Sequence, residues 1–201
     1  MRICGKKHVR AGWGISDLFI NHLTTLSGAW VLCWYGSHVY LNEFITANQC
    51  KRIMEIGVYN GDNALNMIKT AIKFCPASEV EYYGFDFFSH YSMERIGKKV
   101  GVLECKFSLF KGDTMSTVPE VVKSLPMMDL IFIDGGKSYK VAFSDWESSS
   151  SLMHESTGVF VHNVGFSGVG RMVDDIPQDR FSVKIFYAHS EGKVALIKRK
   201  N

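Results

Sequence analysis

From residue 51 onward, runs of consecutive apolar residues alternate with stretches in which apolar positions return every three or four residues. Arg52 to Val58 (RIMEIGV) predicts a buried strand, and Ala64, Leu65, Ile68 and Ile72 then share one face of a helix from about Asp62 to Phe74. Glu79 to Phe88 predicts the second strand and Phe107 to Lys111 the third, followed by a short helix over Thr117 to Leu125. Asp129 to Ile133 predicts the fourth strand, Ser138 to Leu152 a helix, and Gly158 to Val161 the fifth strand. Near-continuous apolar strands separated by helices imply parallel pairing with both faces covered. The end of the chain changes rhythm. Phe181 to Ala188 and Val194 to Lys200 predict strands joined only by His189 to Lys193, too short a link for a parallel crossover, so an antiparallel hairpin is expected.

The expected fold is therefore a doubly wound α/β domain over 51–201, with a seven-stranded, mostly parallel sheet and a C-terminal antiparallel hairpin. Residues 1–50 are expected to form an N-terminal helical cap, with helices near Ile15 to Leu26 and Leu41 to Gln49 and an aromatic-rich stretch between them. It either packs on the outside of the sheet or covers a substrate. Composition narrows the class without naming an activity. The 201 residues are 46% hydrophobic and 21% charged, the balance of an ordinary globular protein, with a formal charge of +3. Lysines and arginines are scattered, apart from Lys198-Arg199-Lys200, so no basic stripe points to nucleic acid. The five cysteines form no C-x-x-C pair, which fits a reducing cytoplasm better than a disulfide framework or a zinc site. The stretch Leu18 to Leu41 is interrupted by Asn21, His22, Ser27, Ser37 and His38, so no membrane span is expected there.

The sharpest chemical pattern is Glu55-Ile-Gly57-Val-Tyr59-Asn-Gly61, where the first strand passes into a helix. Glycines at 57 and 61 let the backbone turn sharply and approach a ligand. Their spacing is not the G-x-G-x-x-G of pyrophosphate binders. Asp86 ends the second strand, where a carboxylate can accept both hydrogen bonds of a ribose diol. Lys111-Gly-Asp113-Thr ends the third. Ligands of open α/β sheets bind at the carboxyl ends of the strands, where all of these lie. The sheet order and the glycine pattern together resemble the class I S-adenosylmethionine-dependent methyltransferases. That resemblance implies S-adenosylmethionine as cofactor, Glu55, Gly57, Tyr59 and Gly61 around its methionine part, Asp86 on the ribose and Asp113 near the adenine amine.

The fourth strand ends in Phe132-Ile-Asp134-Gly-Gly-Lys137-Ser-Tyr139 and the fifth in Val161-His162-Asn163-Val164. These segments look like the catechol and caffeoyl-CoA type of O-methyltransferase over roughly residues 42 to 200. The likeness implies Asp134 beside cofactor and metal, Lys137 as the base that removes the acceptor's proton, and Asp134, His162 and Asn163 as a candidate divalent-cation set. His162 stands where that type has aspartate, and the wording around Asp134 also resembles a second methyltransferase group. Weak magnesium binding, or none, is expected, manganese being the other candidate; His162 and Asn163 could equally cap the strand end, and Lys137 could be a solvated lysine. The remaining histidines, His38 among them, are given no role. The expected activity is methylation of a small-molecule hydroxyl. A metal-independent sugar or natural-product methyltransferase and a cofactor-binding module without catalysis stay open as alternatives. A small-molecule acceptor is the expected partner, with a homodimer left open.

Overall fold

The computed structural model describes residues 38–188 and 192–200. The first expected helix, Ile15 to Leu26, and most of the hairpin loop lie outside these residues. The described chain runs α1 (Val39–Asn48), β1 (Arg52–Ile56), α2 (Asp62–Ala71), β2 (Glu81–Asp86), α3 (Met93–Gly101), β3 (Lys106–Lys111), α4 (Thr114–Val121), β4 (Met128–Ile133), α5 (Tyr139–Ser150), β5 (Met153–Val161), α6 (Ser167–Asp174), β6 (Phe181–Ala188) and β7 (Gly192–Arg199). The seven strands form one sheet in the order β3-β2-β1-β4-β5-β7-β6. Pairing is parallel from β3 across to β5. Strand β7 runs antiparallel between β5 and β6. Among the described residues no helix is long and apolar enough to cross a membrane.

The central strands carry the core because they are covered on both faces. Ile53, Met54, Ile56, Leu130, Ile131, Phe132, Val159 and Val161 are all essentially without exposed surface. At about 25 cal/mol per Å² of apolar surface removed from water, this double coverage is the main source of stability. Edge strand β3 is exposed or half-buried throughout, so its pattern in the sequence was the faintest.

Two helices were not expected from the sequence. Helix α3 buries only Ile96 and Val100, one i,i+4 pair on a chain otherwise rich in charge, and is started by the Ser92 side chain accepting the Arg95 N–H. Helix α6 carries two glycines and buries Val169, Met172 and Val173. Helix α4 starts three residues earlier than expected because Asp113 caps it, its carboxylate accepting the Met115 N–H at 3.1 Å. Helix α1 matches the second expected N-terminal helix and belongs to the same compact unit as the sheet. It packs against β5, where the Phe44 ring meets Phe160 at 5.2 Å. Gly158 makes room for it: a Cβ there would lie 2.4 Å from the Phe44 ring.

At the amino end of the sheet, one carboxylate joins three strands. Asp129 accepts the N–H groups of Lys51 at 2.8 Å and Arg52 at 2.9 Å, and lies 3.0 Å from the His154 ring.

Candidate active site

The opposite, carboxyl end of the sheet opens into a cleft of about 900 Å³. Residues from the ends of β1, β2, β3, β4 and β5 line it, together with His38 just before α1. The loops are held there by continuations of the strand ladder. Gly57 N–H donates to the Phe85 carbonyl at 2.8 Å, Asp134 N–H to that of Ile56 at 2.8 Å, and His162 N–H to that of Ile133 at 3.0 Å.

Gly57 is required twice over. Its φ is +95°, and a Cβ would stand 2.4 Å from the Asp134 carbonyl oxygen. The absent side chain is what lets the first and fourth strand-end turns touch. Beyond it, Tyr59 also sits in the left-handed region, at φ +49°. Its ring lines the cleft and meets Tyr91 edge-on at 5.1 Å. Gly61, at φ +74°, begins α2 and does not line the cleft; its Cα faces Ile96 of α3.

Glu55 is placed underneath the cleft rather than in its wall. Its side chain has no exposed surface, accepts the Tyr82 hydroxyl, and leaves Oε1 without a partner. Burial pushes its carboxyl up to about 8; Asp134 and Asp86 add to the rise, while Tyr82 and Asn63 oppose it. Near neutrality Glu55 therefore carries a proton for much of the time.

Asp86 is held rigidly at the cleft rim. Oδ2 accepts the Tyr59 N–H at 2.9 Å and Oδ1 the Phe88 N–H at 2.7 Å. Each oxygen keeps a further lone pair for a ligand's hydroxyl. Asp113 is exposed at the far side of the cleft, and its neighbours Thr114 and Met115 complete that wall.

Asp134 is the hub of the fourth corner. Its Oδ1 lies 2.5 Å from Lys137 Nζ, 2.9 Å from Asn163 Nδ2 and 3.1 Å from His162 Nδ1. Burial alone would raise this carboxyl, but the contact with His162 and the charge of Lys137 together hold it below the usual carboxylate range. Lys137 Nζ also reaches the Asp134 carbonyl at 3.3 Å. Asn163 is in the left-handed region at φ +62°, which turns its amide back toward Asp134 and to 2.5 Å from His162 Nδ1.

The structure thus brings Gly57, Tyr59, Asp86, Asp113, Asp134, Lys137, His162 and Asn163 into one cleft, and leaves Glu55 and Gly61 as its supports. It adds a residue that carries no motif in the sequence. His38 is buried, its ring 4.8 Å from that of His162 and 5.0 Å from that of Phe132. No local spacing could have found it, because it reaches the site from the far side of α1. Asp145 and Trp146 on α5 are buried against the sheet. Neither Asp145 oxygen has a hydrogen-bond partner of good geometry, and burial pushes the carboxyl up to about 7, the nearby Thr114 hydroxyl opposing the rise and Asp113 adding to it.

Comparison with known proteins agrees with this geometry. Residues 54–164, from β1 through the turn after β5, match a family described as a methyltransferase domain. An O-methyltransferase of Bacillus cereus, solved in complex with S-adenosylhomocysteine, superposes with a TM-score of 0.71 at 12% identity, over 94% of this chain and 98% of that one. The O-methyltransferase TomG of Streptomyces achromogenes, solved with S-adenosylmethionine and involved in tomaymycin synthesis, gives 0.67 at 13% identity, over 94% and 97%. A methyltransferase of Podospora anserina bound to S-adenosylhomocysteine gives 0.64 at 18% identity, over 82% and 78%. No curated protein matches the sequence. With the family pattern spanning more than half of the sequence, the chain belongs to the methyltransferase-domain family.

Proposed function

We propose that this protein transfers a methyl group from S-adenosylmethionine to a hydroxyl oxygen of a small molecule. The observation that carries the proposal is the convergence, in one cleft, of the Gly57 turn, the Asp86 carboxylate and the Asp134–Lys137 pair from three adjacent strand ends. The residues suit that cofactor. Asp86 offers two rigidly held acceptors to a ribose diol, and the Asp113 carboxylate stands at the adenine end. The Gly57 turn and Tyr59 border the space between Asp86 and Asp134. Bound there, S-adenosylmethionine supplies an electrophilic methyl carbon on a sulfonium.

The protein's own part is alignment and proton removal. Holding an acceptor oxygen in line with the methyl carbon is worth up to ~7–11 kcal/mol of the barrier. A phenolic acceptor of pKa ~10 costs about 4 kcal/mol to deprotonate at neutral pH, at ~1.36 kcal/mol per unit. Lys137 is the proposed base. Its Nζ is held by Asp134 beside Asn163 and His162; charged in that pair, it first gives up its own proton to solvent and then takes the hydroxyl proton as the C–O bond forms. Asp134 orients it and balances the charge that it acquires.

The deciding experiment is a thermal-shift comparison of S-adenosylmethionine, S-adenosylhomocysteine and NAD, followed by a methyl-transfer panel of phenols, catechols and sugars. At about 100 times its dissociation constant the correct ligand adds ~2.7 kcal/mol of stability. Stabilisation by NAD alone, or by none of the three, refutes the assignment. Binding with no transfer to any acceptor would favour a cofactor-binding module.

A further inference from the structure

We infer that Lys99, on helix α3 behind the cleft, is a positioning residue that fixes the Gly57–Gly61 turn in the shape that holds S-adenosylmethionine. This role presupposes the S-adenosylmethionine reading of the cleft and extends it to a side chain that does not line it. Gly57, Val58, Tyr59 and Asn60 of the turn do line the cleft, so whatever sets their backbone sets the bed of the cofactor. The turn is weakly determined by its own residues. Glycines at 57 and 61 restrict the backbone least of all residues, and Tyr59 sits at a positive φ that a side chain disfavours. Within the turn, the Gly61 N–H donates to the Val58 carbonyl at 2.9 Å.

Lys99 supplies support from behind. Its ammonium donates to the Asn60 carbonyl at 3.0 Å and to Asp62 Oδ1. The Asn60 amide donates to the other Asp62 oxygen at 2.6 Å, and its Oδ1 accepts the Asp62 N–H at 3.0 Å. These bonds close around Gly61, at the joint between the turn and α2. Ile96, one residue short of a full turn earlier on α3, bears on the same joint: a Cβ on Gly61 would lie 3.3 Å from its side chain. Just before the helix, Tyr91 meets Tyr59 edge-on, and the Arg95 guanidinium lies 4.9 Å over the Tyr91 ring.

A solvated ion pair would be worth little. Lys98, the next residue, makes one of that kind with Glu94, the two side chains being 78% and 76% exposed. Lys99 and Asp62 are 29% and 38% exposed, so their attraction is less screened. The bond from Lys99 to a main-chain carbonyl also restrains the turn directly and not through a second flexible side chain. Without the ammonium, the Asn60 carbonyl loses its donor and Asp62 its counter-charge. The turn then samples other shapes, and the apparent affinity for the cofactor falls with the fraction that keeps the competent one.

The test compares the full-length wild-type chain with Lys99→Met, Asp62→Asn, the double variant and Lys98→Met. Calorimetry with S-adenosylhomocysteine gives Kd, hydrogen exchange of the unliganded proteins reports on 58–62, and melting shows that each variant is folded. Lys99→Met keeps the apolar stem and removes the charge. Expected are a Kd raised roughly 5- to 30-fold in Lys99→Met and faster exchange over 58–62. Lys98→Met, which loses the same charge from the same helix, should bind like wild type. The double variant should bind about as well as the weaker single variant, because both changes break one network. An unchanged Kd in folded Lys99→Met overturns the inference, and so does a fall in melting temperature alone, the mark of a merely structural pair. Equal weakening in Lys98→Met overturns it too, by reducing the effect to long-range charge, and fully additive losses in the double variant do the same. If the wild-type chain binds no S-adenosylhomocysteine, the cofactor reading itself fails and takes the role of Lys99 with it; binding by wild type together with any of the preceding results removes Lys99 alone.

Discussion

Asp145 should make the stability of this protein fall with rising pH, and Asp145→Asn should abolish that part of the fall. The carboxyl is fully buried on α5 with neither oxygen in a hydrogen bond of good geometry, and burial raises its pKa from 3.8 to about 7. Between those values the folded chain binds a proton that the unfolded chain has released. Stability contributed by this proton is therefore present at low pH and lost as pH rises through about 7. Three units at ~1.36 kcal/mol each give about 4 kcal/mol as the full span. Urea unfolding of both proteins at pH 4.5, 6 and 8 measures it. Glu55, which is raised to about 8, is present in both and cancels in the difference. Near pH 4.5 the two should be almost equally stable, and by pH 8 the variant should be ahead by up to about 4 kcal/mol. A difference that does not change with pH, or a wild-type chain that is the more stable at pH 8, would show that the Thr114 hydroxyl and other neighbours compensate the buried carboxylate and would refute the reasoning.

Other perturbations act on the cleft. Gly57→Ala must place a Cβ 2.4 Å from the Asp134 carbonyl at a φ of +95°, so a loss of about 1–3 kcal/mol and of cofactor binding is expected in melting and calorimetry. An unchanged melting temperature would contradict this. Asp86→Asn turns one acceptor oxygen into a donor facing a backbone N–H, and should weaken S-adenosylmethionine by about 1.5–3 kcal/mol, read as Kd. Equal affinity would remove Asp86 from the ribose site. Lys137→Ala should lower kcat by about 10²–10⁴ while leaving cofactor affinity nearly the same. Full turnover on a confirmed acceptor would mean that the proton leaves by another route.

Central strands were easy to read from the sequence because they are buried on both faces. Arg52 to Ile56, Met128 to Ile133 and the C-terminal pair needed only apolar runs and a short link. Helices α3 and α6 escaped because each buries two or three side chains and carries glycines, so no periodic stripe announces them. The same division applies to the cleft. Residues at strand ends, such as Gly57, Asp86, Asp134 and Asn163, are brought together by the sheet and could be found by position. Glu55 sits in the same motif, yet β-strand alternation turns its side chain beneath the floor to meet Tyr82. His38 was illegible for the opposite reason: no motif surrounds it in the sequence, and the packing of α1 carries it to His162.

Asp129 gives the molecule a second rim with a purpose of its own. It binds the backbone starts of β1 and the ring of His154 at the end of the sheet remote from the cleft. Anchorage and chemistry are thus segregated along the strand axis. Damage at the anchored rim should lower the melting temperature while the remaining folded molecules bind and react as before, and loss of a reacting side chain at the open rim, such as that of Lys137, should do the reverse. An engineer could fortify one end of these strands without consulting the other.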